Sequence, residues 1–141
     1  MASLDVGEAF LKGLTFEEVQ QMKGGPKREV CMILPRATST QPSGAAILRQ
    51  ITGFEDFNEA GDALEMLKGG FGLADAPNLF TSRVDQVFRT EGLLPTLSER
   101  KVYVKHKPRL GSQSEEHKNL VLIVSAHMDD FKAAGTTEEL E

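Results

Sequence analysis

Apolar and polar residues are arranged along the chain in patterns that predict both strands and helices. Residues 120–125 (LVLIVS) form an almost continuous apolar run, which is typical of a central buried strand. Residues 101–106 (KVYVKH) alternate between polar and apolar, as a strand with one buried face does. Residues 29–34 (EVCMIL) are a shorter run of strand type. Residues 3–14 begin as a strand and lead into a turn at Gly13.

Helical signals lie between these strands. Thr15 and Glu18 are spaced as a capping box, which predicts a short helix over residues 16–22. Asp75 is an N-cap candidate, and Pro77 sits in the first turn that would follow. Five apolar residues then recur at helical spacing before Gly92, namely Leu79, Phe80, Val84, Val87 and Phe88. An amphipathic helix that packs on a sheet is therefore expected here.

The remaining segments carry weaker signals. Residues 36–44 predict a loop, and residues 45–67 contain two weak helical stretches separated by Gly53. Residues 107–118 are polar and predict a long hairpin loop, and the residues after Gly135 predict an acidic tail without regular structure. The order of elements favours an α+β fold, with helices on one face of a mainly antiparallel sheet.

Composition agrees with one folded domain but adds a difficulty. The 141 residues are 40% hydrophobic and 26% charged, as in globular proteins, and the net charge is −5. Proteins that bind nucleic acid usually present a basic surface. A local basic stripe could contact phosphates, although a solvated hairpin is the simpler interpretation. The stripe consists of Arg100, Lys101, Lys105, Lys107 and Arg109.

The cysteine content and the lack of targeting segments bear on the cellular compartment of the protein. Cys31 is the only cysteine, so neither an internal disulfide nor a cysteine zinc cluster can form, and we expect a small core residue. The chain shows neither a secretory signal nor an apolar run of about 20 residues. We therefore expect an intracellular protein, cytoplasmic or nuclear, that is not secreted and does not bind a membrane.

Two acidic motifs stand at the edges of predicted strands. One is LDVGEAF at residues 4–10, and the other is AHMDD at residues 126–130, directly after LVLIVS. Neighbouring carboxylates repel each other unless a cation offsets their charge. Two carboxylates joined by a third from another strand can hold Mg²⁺, and two such ions can promote nucleotidyl transfer. Each motif alone is weak, because an Asp-Asp pair is more often a turn or a cap.

The motifs together resemble those of reverse transcriptases from copia-type retrotransposons. LDVGEAF looks like the first catalytic motif of that family, in which an aspartate (Asp5) is followed five positions later by an aromatic residue (Phe10). The longer stretch LDVGEAFLKGLTFEEV is similar to the copia-type version. HMDD resembles the Tyr-x-Asp-Asp box, and FKAAG resembles the strand that follows it. LKGGFGLADAPNLF is similar to the segment usually written LYGLKQAPRAW, with landmarks at Phe71, Gly72, Leu73, Ala76 and Pro77.

The resemblance implies a fold, a chemistry and partners. Residues 1–135 would be the palm region of an RNA-directed DNA polymerase, a fragment of a Pol polyprotein without fingers and thumb, and residues 136–141 an acidic tail. Its catalytic and metal-binding residues would be Asp5, Asp129 and Asp130, with Mg²⁺ or Mn²⁺ as cofactor. Phe10, Asp75 and Met128 would contact the nucleotide, with Phe10 as the gate against a ribose 2′-hydroxyl. The partners would be an RNA or DNA template with its primer, a dNTP, and the rest of the polyprotein.

Departures from the family pattern leave two alternatives open. His127 replaces the tyrosine of the acidic box, and Asp75 replaces a glutamine, placing an extra carboxylate near a triphosphate. One alternative is therefore a catalytically inactive remnant of a retroelement with a palm-like fold. The other is a fragment of a co-catalytic zinc peptidase, in which His127 and Asp129 would be ligands. That interpretation requires further ligands, and His106 and His117 both lie upstream in the predicted hairpin.

Overall fold

The structure, a computed structural model, describes residues 1–108 and 118–140, and these form two compact units. The first unit comprises Met1–Leu14 and Lys68–Glu141, and the second comprises Thr15–Leu67. The strands of the whole chain are β1 (Ala2–Asp5), β2 (Cys31–Met32), β3 (Leu64–Glu65), β4 (Leu94–Pro95), β5 (Val102–Pro108), β6 (Lys118–His127) and β7 (Asp130–Gly135). The α-helices are α1 (Phe16–Lys23), α2 (Gly44–Thr52), α3 (Ala76–Thr90) and α4 (Thr137–Leu140), and Ala9–Lys12 form a 3-10 helix.

The first unit contains a five-stranded sheet in the order β1-β7-β6-β5-β4. Each neighbouring pair is antiparallel. The α+β class and the mainly antiparallel sheet expected from the sequence are thus confirmed. β6 lies in the middle of the sheet, as its apolar sequence predicts.

The core of this unit lies on one face of the sheet. Successive side chains of a strand point to opposite faces, and in β6 Leu122 and Val124 are buried whereas Ile123 and Ser125 are exposed. The apolar run of β6 is therefore buried on one face, and its alternate residues face outward. Helix α3 covers the buried face.

Aromatic rings join α3 to the sheet. Phe88 packs edge-on against Tyr103 at 4.8 Å and against Phe131 at 5.7 Å between ring centroids. The Tyr103 hydroxyl donates to Asp85 on α3 at 3.3 Å. Burial, with the nearby Asp85 carboxylate, raises the pKa of Tyr103. This tyrosine is a core residue, as its place in an alternating strand predicts.

Asp75 occupies the N-cap position of α3 as expected, but it does not act as an ordinary cap. Its backbone is already helical (φ −95°, ψ −7°), and its side chain makes no capping hydrogen bond. Pro77 lies in the first turn, where its missing N–H costs no helical bond. The position was predicted correctly, whereas the capping interaction was not.

The second unit confirms one local signal and corrects three others. The Thr15 side chain accepts from the Glu18 N–H, and the Glu18 carboxylate accepts from the Thr15 N–H, which completes the capping box of α1. Only one helix, α2, forms in residues 45–67, because Gly53 ends it in a left-handed conformation and turns and β3 follow. The strand expected over residues 29–34 shortens to Cys31–Met32, and Cys31 is exposed rather than buried.

The segment after Gly135 also differs from its prediction. Residues Thr137–Leu140 form α4, and Leu140 packs against the core of the first unit. The Glu139 carboxylate accepts from Lys105 at 2.8 Å and pairs with Lys107. Tertiary contacts therefore order a segment whose own sequence is acidic and short. Of the predicted hairpin loop, residues 109–117 lie outside the described residues.

None of the described helices is both long enough and apolar enough to cross a membrane.

Candidate carboxylate site

The sheet brings the two acidic motifs together at one end. Asp5, the last residue of β1, lies directly opposite Asp130, the first residue of β7. The Val6 N–H donates to the Asp129 carbonyl at 2.9 Å, which continues the ladder one step beyond the strand. Asp5 is far in sequence from the adjacent Asp129 and Asp130, and the β1–β7 register places it beside them.

The turn between β6 and β7 lies at this same end of the sheet. His127 pairs with Asp130, so Met128 and Asp129 form a tight two-residue turn. Met128 has φ 52°, and Glu8, which precedes the 3-10 helix, has φ 56°. Residues other than glycine seldom adopt this left-handed region. Both of these strained positions lie within three residues of a candidate carboxylate.

Alternation along the strands assigns Asp5 and Asp130 to the open face of the sheet. Leu4, which precedes Asp5, pairs with Phe131, which follows Asp130, and Phe131 belongs to the core. The side chains of Asp5 and Asp130 therefore point away from α3, on the same side as each other. Directly opposed residues have Cβ atoms roughly 4.5–5.5 Å apart. Both aspartates are exposed, so water and cations can reach them.

Opposed like charges destabilise a strand pair, and a cation between them removes that cost. Mg²⁺ prefers hard oxygen ligands and is often held by one or two carboxylates, with water or phosphate oxygens completing its shell. The Asp5–Asp130 pair fits that donor requirement. In the described part of the chain, however, no three His, Cys, Asp or Glu side chains come close enough to hold a metal ion together.

Two aromatic rings lie near this end of the first unit. Phe10, in the 3-10 helix, is half-buried and packs against the core. Its ring meets that of Phe71 edge-on, 5.7 Å between centroids. Phe71 is 70% exposed, so this pair joins the first motif to the segment that precedes α3. The sequence indicated Phe71 only as a landmark, and nothing in its local pattern predicts the ring contact.

The remaining nucleotide-contact candidates lie at the same end of α3. The 3-10 helix that carries Phe10 is held to the early part of α3, because the Leu14 N–H donates to the Leu79 carbonyl at 3.2 Å. Asp75 stands at the N-terminus of that helix and is half-buried. Met128 is exposed and lines a shallow depression together with Thr81. Phe10 and Asp75 therefore lie near the beginning of α3, Met128 lies beside Thr81 and Val84 further along it, and the Phe10 ring contacts that of Phe71.

The basic stripe is divided by the structure. Lys101 lies beside the acidic hairpin, since its carbonyl accepts from the Ala126 N–H at 2.8 Å and its side chain lines the depression near Met128. Lys105 and Lys107 instead bind Glu139. Arg109 lies outside the described residues. Tyr103, two residues further along the chain, belongs to the core, so Lys101 lies on the α3 side of the sheet, whereas Asp5 and Asp130 point to the other face.

The histidines are not gathered around a metal. His106 pairs with Leu120 on β6, and His127 follows seven residues further along that strand, a separation of about 23 Å. His127 lies next to Asp130, and these two residues are fewer than the three or four protein ligands that zinc sites have. His117 lies outside the described residues.

Comparisons of the chain with models of known protein families, with curated proteins and with solved structures found no match.

Proposed function

We propose that this chain carries the palm region of a retroelement reverse transcriptase, with Asp5, Asp129 and Asp130 as its metal-binding carboxylates. The observation that supports the proposal is the β1–β7 register, in which Asp5 stands opposite Asp130 and Val6 bonds to Asp129. Two motifs recognised separately in the sequence meet at one sheet end, on an exposed face. The antiparallel sheet with α3 on one face is compatible with a palm.

The proposed reaction extends a primer by one nucleotide. The primer 3′-oxygen forms a bond to the α-phosphorus of a dNTP, the bond to the bridging oxygen breaks, and pyrophosphate leaves. The hydroxyl proton passes to solvent. Two Mg²⁺ ions would activate the 3′-hydroxyl and stabilise the leaving pyrophosphate. Asp5, Asp129 and Asp130 would supply the carboxylate oxygens that hold them.

Other residues of the chain would position the nucleotide. The half-buried ring of Phe10 is held by the core and by Phe71, so it cannot move aside easily for a ribose 2′-hydroxyl. Asp75 would oppose triphosphate binding, because it adds a negative charge at the same end of α3.

The second candidate is a retroelement remnant with this fold and no catalytic activity. The observation that favours it is the absence, among the described residues, of three side chains close enough to share a metal ion. Such a chain would keep the fold of the first unit and lack cation binding.

Metal binding separates the two candidates without requiring turnover. Mn²⁺ is paramagnetic and broadens NMR signals of nearby nuclei, so on titration the amides of Val6 and Asp130 should broaden first. Asp130→Asn should remove this effect, whereas Asp56→Asn, at an exposed aspartate of the other unit, should preserve it. Uniform or absent broadening in the folded wild-type chain would favour the inactive remnant.

Primer extension is the matching activity test. With a primed RNA template, labelled dNTPs and Mg²⁺ or Mn²⁺, the proposal expects extension by the wild type and by Asp56→Asn. Asp129→Asn and Asp5→Asn should each lower it by at least about a hundredfold, as loss of a charge-stabilising group does. Extension that survives in these variants would rule out the assigned carboxylates.

A further inference from the structure

An apolar groove runs along the first unit between α3 and β1, on the face of the sheet opposite Asp5 and Asp130. We call it the α3–β1 groove, and its volume is about 480 Å³. Phe131 and Ala133 of β7 lie in its floor, and Phe88 of α3 flanks them. Its walls are more open, since Leu4 on β1 is 63% exposed and Val87 on α3 is 50% exposed.

The exposed walls show that α3 covers only part of the apolar sheet face. Val87 belongs to the helical apolar stripe of α3, yet half of its surface faces solvent. Leu4 lies opposite the core residue Phe131, so it points to the same covered side of the sheet. A sheet face beside one helix accommodates a second helix at an axial distance of 8–10 Å, roughly the usual helix–helix separation.

Opposite charges mark the two ends of the groove, whose lining also includes Arg83 of α3 and Glu139 of α4, the latter paired with Lys105 and Lys107. Lys12 is the last residue of the 3-10 helix, which is held to α3 at Leu79, whereas Glu91 lies at the C-terminal end of α3. Twelve residues separate Leu79 from Glu91, so the ends lie about 18 Å apart. Among the residues that the structure describes, neither Lys12 nor Glu91 has an ion-pair partner.

We propose that the α3–β1 groove binds an amphipathic helix of about three turns that runs antiparallel to α3. In this direction the partial positive charge of its N-terminus lies near Glu91, and the partial negative charge of its C-terminus lies near Lys12. A basic residue in its first turn and an acidic residue in its last turn complete the match. Its apolar stripe covers Leu4 and Val87.

The groove and the carboxylate site can fail separately. Asp5, Asp129 and Asp130 do not line the groove, and the two lie on opposite faces of the sheet. Helix binding therefore makes no use of metal binding or polymerase activity.

The probe is a synthetic 14-residue peptide with a fluorescent label and blocked ends. It carries leucines at helical spacing, one lysine in its first turn and one glutamate in its last turn. Binding to the full chain is followed by fluorescence anisotropy. Val87→Glu should weaken binding by about tenfold or more, because a charge would be buried against the peptide. The matched control is Leu97→Glu, at a fully exposed leucine outside the groove, which should leave binding unchanged.

A charge exchange tests the direction of the helix. Lys12→Glu should weaken binding of this peptide by about three- to fivefold, as expected for a partly exposed charge pair. A second peptide, with lysine in place of glutamate in its last turn, should bind the Lys12→Glu variant with the affinity that the first peptide has for the wild type. Lys132→Glu, at an exposed lysine that does not line the groove, is the control and should not change affinity.

Several outcomes would overturn the proposal. These are no binding by the folded wild-type chain, equal effects of Val87→Glu and Leu97→Glu, or no recovery on charge exchange. A dimer seen by sedimentation and abolished by Val87→Glu would assign the groove to a second copy instead. Binding of anilinonaphthalene sulfonate that the peptide does not displace would assign it to a small apolar ligand. If the amide NMR spectrum shows that Val87→Glu is unfolded, Leu4→Glu on the other wall replaces it.

Discussion

At the scale of single residues, Asp5 and Asp130 owe their importance to their pairing. Two exposed carboxylates directly opposite each other weaken a strand pair at neutral pH. Neither residue is unusual when the sequence is considered alone. The register makes them neighbours on one face, and a bound cation would turn their repulsion into a coordination pair.

Asp75 gives a residue-scale prediction under the proposed function. Asp75→Gln should raise dNTP affinity by about three- to tenfold, because one negative charge leaves the end of α3 where the nucleotide would bind. The same change should lower the free energy of unfolding by about 0.3–1 kcal/mol, because a carboxylate stabilises a helix N-terminus. Nucleotide titration and urea unfolding measure the two effects. Unchanged affinity alongside lowered stability would show that Asp75 serves the helix alone.

At the scale of elements, local sequence patterns predicted structure correctly where the interactions join residues only a few positions apart. The capping box of α1 depends on two side chains three positions apart, and the structure contains both of its bonds. The helical spacing before Gly92 likewise predicted α3. The short strands and the segment after Gly53 were predicted poorly, because their structure depends on partners distant in sequence.

Gly135 gives a prediction for the β6–β7 pair. A Cβ atom at this position would lie 2.6 Å from the Val121 carbonyl oxygen and 2.9 Å from Leu122 Cδ1. Since the first of these is backbone, it cannot move aside without shifting the strand. Gly135→Ala should therefore lower the free energy of unfolding by about 1–3 kcal/mol in urea denaturation. Gly7→Ala is the matched control, because a Cβ there has no neighbour within 4 Å. Equal effects of the two changes would remove the steric explanation.

At the scale of the whole molecule, α4 shows how distant contacts order a weak segment. Glu139 lies between Lys105 and Lys107 of β5, and its side chain is only 8% exposed. Hydrogen bonds from these two lysines lower the pKa of Glu139 below its ordinary value of 4.5. The contribution of the Glu139 ion pairs to the free energy of unfolding is therefore complete above about pH 4.5 and is lost as the pH falls through the lowered pKa of Glu139.

Glu139→Gln should accordingly release α4 at neutral pH. Hydrogen exchange at the α4 amides should accelerate in this variant at pH 7, and its difference from the wild type should disappear in acid below the lowered pKa. Glu138→Gln, at the exposed neighbour, is the control and should exchange as the wild type does. A difference between wild type and Glu139→Gln that persisted at the lowest pH would contradict an ionic attachment.

The sequence alone determined the α+β class, the helices α1 and α3, the central position of β6 and the identity of the acidic motifs. These follow from periodicity, from capping over three or four residues and from the chemistry of individual side chains. Only the tertiary structure decided that Asp5 faces Asp130, that Phe10 meets Phe71, that α4 is held by Glu139 and that Leu4 and Val87 border an open groove. The physical reason is that strand register and helix packing depend on contacts between residues tens of positions apart, and local patterns do not encode which of them pair.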